Sequence, residues 1–101
     1  MSRPRLCRRC FCKPCATYFK PRGIPLRHLK EVVLALDEFE AINLKDLQGF
    51  EQEQAAKKMK ISQPTFNRLI REARKKIADA IVNGKALKIE GGNYTFSNRQ
   101  R

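Results

Sequence analysis

At 101 residues with a formal net charge of +12, the chain has room for one modest core and none for a separate effector-binding domain. Lys and Arg outnumber Asp and Glu by 22 to 10, a balance that favours a polyanion partner over a neutrally solvated surface. No run approaches the roughly 18 apolar residues of a membrane span, and the basic N-terminus lacks the apolar stretch of a signal peptide. A cytoplasmic location with reduced cysteines and no membrane partner is therefore expected.

The charge is unevenly spread. Residues 1–30 carry nine Lys/Arg and no acid, residues 31–56 one Lys and seven acids, and residues 57–101 twelve Lys/Arg and three acids. The pattern reads as a basic, Cys-rich arm (1–16), a helical domain (17–96) that opens with an acidic helix, and a basic tail (97–101).

The arm has neither helical nor strand periodicity. Its cysteines, Cys7, Cys10, Cys12 and Cys15, form a C-x2-C-x-C-x2-C run. Each C-x2-C pair can offer two thiolates to a soft cation, so zinc is the candidate cofactor, with an iron–sulfur cluster as the other four-thiolate option. Only Phe11 separates the two pairs, which makes a single tetrahedral site cramped; free thiols on a basic arm are the plain alternative. Arg3 and Arg5, with Arg8, Arg9 and Lys13, suit a phosphate backbone or minor groove whatever the cysteines do.

Thr17–Lys20 is a short β-prone run closed by the turn residues Pro21-Arg22-Gly23. Pro25 can start a helical turn with Leu26 and Leu29 inward, and the lone His28 reads as a surface residue. Glu31–Leu36, EVVLAL, is a second β-prone run suited to pairing with 17–20. Asp37 is then the expected cap of a helix with Glu40 as its capping-box partner, Phe39, Ile42 and Leu47 as its apolar face, and Gly49 as its stop. The acids at its start are favoured there by the helix dipole and form no catalytic set.

Gln52–Leu69, QEQAAKKMKISQPTFNRL, reads as a helix-turn-helix. Ala55 and Ala56 are small enough for two helices to cross closely, and Met59, Ile61, Phe66 and Leu69 fill the angle. Ser62 suits the N-cap of the second helix, and Pro64 falls in the first turn, where a missing N–H costs little. Ala73, Ile77, Ala80 and Ile81 continue the inner stripe to a stop at Gly84.

On the opposite side of that helix, Pro64, Arg68, Arg71 and Lys75 form one ridge at 3.6 residues per turn. Asn67 and Arg74 flank it, and Gln63 and Thr65 lie at its N-terminal end. A plain helical pair does not require such a surface, whereas Arg, Asn and Gln match the donor–acceptor pattern of base edges. Gln63, Thr65, Asn67 and Arg68 are the candidates for base contact; Arg71, Lys75 and the arm arginines are the candidates for phosphate. Residues 85–96, KALKIEGGNYTF, suggest two extended pieces around Gly91-Gly92, as a hairpin or wing. No nucleophile elbow, phosphate-binding Gly loop or triad is present, so an enzyme is not expected.

The run LDEFEAINLKDLQGFEQEQAAKKMKISQPTFNRLIREARKKIADAIVNGKALKIEGG, from Leu36 to Gly92, resembles uncharacterised protein family 0251, as do RPR near the start and TYFKPRGIPL. The resemblance implies a mainly α fold: a three-helix, helix-turn-helix core similar to sigma-factor region four or a winged helix, with short β-strands and DNA binding. The chain departs from that pattern with Lys60 where Gly is usual in the turn, and with Glu51 as the cap of the preceding helix. The expected function is thus a small transcriptional regulator on double-stranded DNA, as a monomer or a homodimer. Its rivals are a module docking on RNA polymerase and a metal-containing RNA-binding protein.

Overall fold

The computed structural model describes residues 8–10, 13–92 and 94–96, the first and last of these segments as backbone only. In chain order the elements are β1 (Arg8–Cys10), β2 (Tyr18–Phe19), a 3-10 turn (Leu26–His28), β3 (Glu31–Leu34) and α1 (Leu36–Ile42). A π-helical turn (Asn43–Leu47), α2 (Gln52–Met59), α3 (Gln63–Asn83), β4 (Ala86–Ile89) and β5 (Tyr94–Phe96) follow. The fold is mainly α, with a helical core and short strands.

The turn between α2 and α3 is built as its residues require. Ser62 Oγ accepts from the Thr65 N–H at 3.2 Å, and Pro64 sits in the first turn of α3. Lys60 adopts φ 59°, ψ 45°, the left-handed conformation that a glycine would take without strain. Its N–H donates to Lys57 O and the Ile61 N–H to Ala56 O, the bond pair that closes a helix on a left-handed residue. Behind this turn Ala41, Leu44, Ala55, Ala56, Met59, Phe66 and Ile70 form one buried cluster, with Ile61 and Leu69 packed half-buried against it. Phe66 and Met59 are fully buried, so truncating Phe66 would cost about 3–5 kcal/mol and loosen the crossing of α2 with α3.

The acidic helix differs from expectation at both ends. It starts at Leu36, with Ala35 as its N-cap, two residues ahead of Asp37. The returning carboxylate is that of Glu38, which accepts from the Ala35 N–H at 2.9 Å and also pairs with Lys76 of α3 at 2.8 Å. Glu40 is fully buried rather than at a cap. Beyond Ile42 the helix widens: Gln48 N–H bonds Asn43 O, an i→i+5 step, and Gly49 ends the run with φ 81°. The wider turn sends Leu44 inward and leaves Leu47 79% exposed, so Leu47 is not part of the apolar face.

The strands form two small sheets. In the larger, β4 is central, antiparallel to β2 and parallel to β3. The runs 17–20 and 31–36 therefore do not pair with each other; each pairs with β4. β5 runs parallel to β1 in a separate two-stranded sheet, so β4 and β5 make no hairpin or wing. The pairing also gives Arg8–Cys10 strand structure where an irregular arm was expected, and β1 lies against α1 and α2. Leu34, Ala73 and Ile89, supported by Ile77 and Leu87, bury the sheet against α3. Ile81 stands 75% exposed at the far end of that helix, outside the core stripe expected to include it. Leu26 is likewise exposed, whereas Leu29 is half-buried.

Candidate nucleic-acid interface

α3 is held in place from three sides before its outer face is considered. Phe66, Ile70 and Ala73 are buried against the other helices and the sheet, Lys76 is tied to Glu38, and Gly84 closes the helix with φ 65°. What remains outward follows from the helical repeat. Gln63, Pro64, Arg68, Arg71 and Lys75 are all exposed, while Thr65 and Asn67 are half-buried. The Thr65 hydroxyl is partly engaged, accepting from Ser62 Oγ at 2.8 Å.

The outward residues fall into two neighbouring groups. Asn67 and Arg71 meet Gln52 of α2 and Arg74 around a notch of about 280 Å3. Gln63 lies instead with Lys45, Glu51, Gln52 and Glu53 around a second depression of about 340 Å3 at the start of α2. Gln52 contributes to both. It carries no charge and breaks no periodicity, so its place at the junction was not readable from α3 alone. Arg68 and Lys75 stand clear of both depressions.

Arg74, expected to flank the ridge, is committed to Asp46. Its Nε donates to Asp46 Oδ2 at 3.0 Å, and a terminal nitrogen donates to the other carboxylate oxygen. These hydrogen bonds hold the Asp46 carboxyl below the ordinary carboxylate range and push the guanidinium up. Glu51 and Glu53 are exposed around the depression that holds Gln63, so the basic ridge has an acidic shoulder that would repel a phosphate backbone laid across the start of α2.

The metal candidates fall largely outside the described residues. Cys7 and Cys12 lie there, as do Arg3, Arg5 and the tail 97–101; Cys10 is followed as backbone only. Cys15 is an exposed free thiol. Among the described residues no group of three or more His, Cys, Asp or Glu side chains is arranged to hold a metal ion. Among the same residues no helix is long and apolar enough to cross a membrane.

A family model described as "Protein of unknown function DUF134" matches residues 1–97 of the chain. The chain belongs to this family. A UPF0251 protein from Caldanaerobacter subterraneus is 60% identical over 94 residues, covering 93% of this chain and 80% of that protein. The UPF0251 protein from Thermoanaerobacter pseudethanolicus is 56% identical with the same two coverages. A UPF0251 protein from Moorella thermoacetica is 57% identical over 93% of this chain, which spans only 63% of that relative's length. The resemblance to family 0251 is thereby established, and the relatives' names carry no activity. No solved structure matches the chain significantly.

Proposed function

We propose that the chain is a non-enzymatic DNA-binding protein, a small transcriptional regulator that lays the N-terminal half of α3 in the major groove. The observation that carries this reading is the exposed row Gln63, Arg68, Arg71 and Lys75 on a helix whose opposite side is buried. A helix presented by such a turn enters a groove with its first turns toward the bases. On that geometry Gln63 and Arg68 are base-edge candidates, with Thr65 and Asn67 as half-buried neighbours. Arg71 and Lys75, further along, meet phosphate.

Selection of bound sequences from a random duplex pool tests the reading. Enrichment of a short motif is expected, and a pool that stays random through successive rounds would contradict it. The N-terminal segment adds a second element to the proposal: Arg3 and Arg5 on phosphate or in the minor groove, with zinc on Cys7, Cys10, Cys12 and Cys15. Elemental analysis should then find about one zinc per chain, lost to a chelator together with order in the segment. Metal-free protein with undiminished DNA binding would remove the zinc from the account.

A further inference from the structure

Where β2 and the turn after it meet the C-terminal turns of α3, the surface opens into a groove of about 450 Å3 with mainly apolar walls. Phe19 and Pro21 come from the β2 side, Ile77 and Ile81 from α3, and Leu87 from β4. Phe19 is 52% exposed and Ile81 75%, although neither is needed by the core clusters. Two ammonium groups lie among these hydrocarbons. Lys85 is tied to Asp79 at 3.0 Å. Lys20 donates to its neighbour's carbonyl, Pro21 O, at 3.0 Å, and among the described residues it meets no carboxylate. An ammonium has three donors, so Lys20 keeps hydrogen-bonding capacity beside the apolar wall.

We propose that this groove is a binding site for a small apolar carboxylate, its hydrocarbon body against Phe19, Ile77 and Ile81 and its carboxylate on Lys20. The volume falls within the roughly 300–1,000 Å3 of small-molecule sites, and the balance of many apolar contacts with few polar ones is typical of them. Charge selects the occupant. A second copy seated symmetrically here would bring another Lys20 ammonium to the same patch, which like-charge repulsion disfavours. A neutral ligand would gain no charge-assisted hydrogen bond from the exposed Lys20 ammonium, whereas a carboxylate would. The groove lies about 27 Å along α3 from Gln63, so the site stands whether or not the first turns of that helix bind DNA.

Titration of the 15N-labelled full chain with octanoate, octanamide and acetate at fixed ionic strength tests the proposal. Octanoate should shift the amides of Phe19, Ile77, Ile81 and Leu87; octanamide should bind about tenfold more weakly, and acetate should leave these amides in place. Lys20→Met should bring octanoate down to the octanamide level. Ile81→Glu, at a position already exposed, should weaken octanoate at least as much while the rest of the spectrum stays native. The proposal is overturned if octanoate shifts only the Arg68–Arg71 region, or if Lys20→Met leaves its affinity unchanged. It is equally overturned if octanoate leaves the groove untouched while an acidic peptide, or a second copy detected by sedimentation, occupies it.

Discussion

Asp46 and Arg74, 28 residues apart in sequence, are joined by two side-by-side hydrogen bonds between the π-helical turn and the middle of α3. The pair ties the acidic helical segment to the candidate recognition helix and fixes one wall of the notch that also holds Asn67 and Arg71. Both side chains are more than a third exposed, so water and salt screen the attraction and it is worth at most about 1 kcal/mol.

Its pH dependence has a definite sign. Arg74 lowers the Asp46 carboxyl in the folded state, so the stabilisation is present above the unfolded carboxylate value of about 3.9 and disappears as pH falls through the lowered folded value. Asp46→Asn should therefore lose up to about 1 kcal/mol at pH 7 and almost nothing relative to the parent near pH 2. Urea denaturation at the two pH values measures the difference. An equal gap at both would mean that the ion pair contributes nothing and the effect is one of packing.

Lys60 is a non-glycine residue at φ 59° in the turn that sets the angle between α2 and α3. Replacing it with glycine should relieve that strain and stabilise the fold by roughly 1 kcal/mol, read as a raised denaturant midpoint. Lys60→Ala should bring no such gain. If both substitutions behave alike, the left-handed turn carries no strain.

Gly92 is the reverse case. A Cβ there would lie 2.7 Å from Asp37 Oδ1 and 2.8 Å from Ala35 Cβ, and the backbone has φ 96°. The neighbouring Gly91 carbonyl accepts from the Leu36 N–H at 2.8 Å, so the Gly-Gly pair closes down on the start of α1. Gly92→Ala should destabilise the protein by about 2–4 kcal/mol, against about 1–2 kcal/mol for Gly23→Ser, which at φ 84° carries backbone strain but meets no neighbouring atom. Similar losses at the two positions would contradict a close approach at Gly92.

The helix-turn-helix was legible because its signals are local. Ala55, Ala56, Met59 and Phe66 announce themselves by spacing, Ser62 and Pro64 by capping chemistry, and Gly84 by its place after the last periodic residue. The exposure of Arg68, Arg71 and Lys75 then follows from 3.6 residues per turn. What failed was long-range or broke the period. The π-helical step moved Leu47 out and Leu44 in, which no 3.6-residue count foresees. β4 became the partner of both β2 and β3, because parallel and antiparallel pairing across some 50–70 residues leaves little trace in short apolar runs. Glu38, not Glu40, accepts from the N-cap N–H because the helix begins two residues earlier than a cap at Asp37 implies. The Asp46–Arg74 pair joins residues 28 apart, and nothing in the local pattern around either side chain announces it.

The central claim is that α3 reads bases with its first turns and phosphates further along. Affinities of the parent, Arg68→Ala and Lys75→Ala for a selected duplex and its single-base variants, measured across salt, test it most directly; Ile77→Ala, monitored by thermal melting, controls for folding. If about six phosphates are neutralised, the parent's log affinity should fall with log salt at a slope of about −5. Arg68→Ala should cost roughly 1–3 kcal/mol on the selected duplex and relax preference at one base position. Lys75→Ala should weaken every duplex about equally and make the slope shallower by roughly one unit. A flat salt response, or an Arg68→Ala variant that weakens every duplex alike, would contradict the placement of α3 in the major groove.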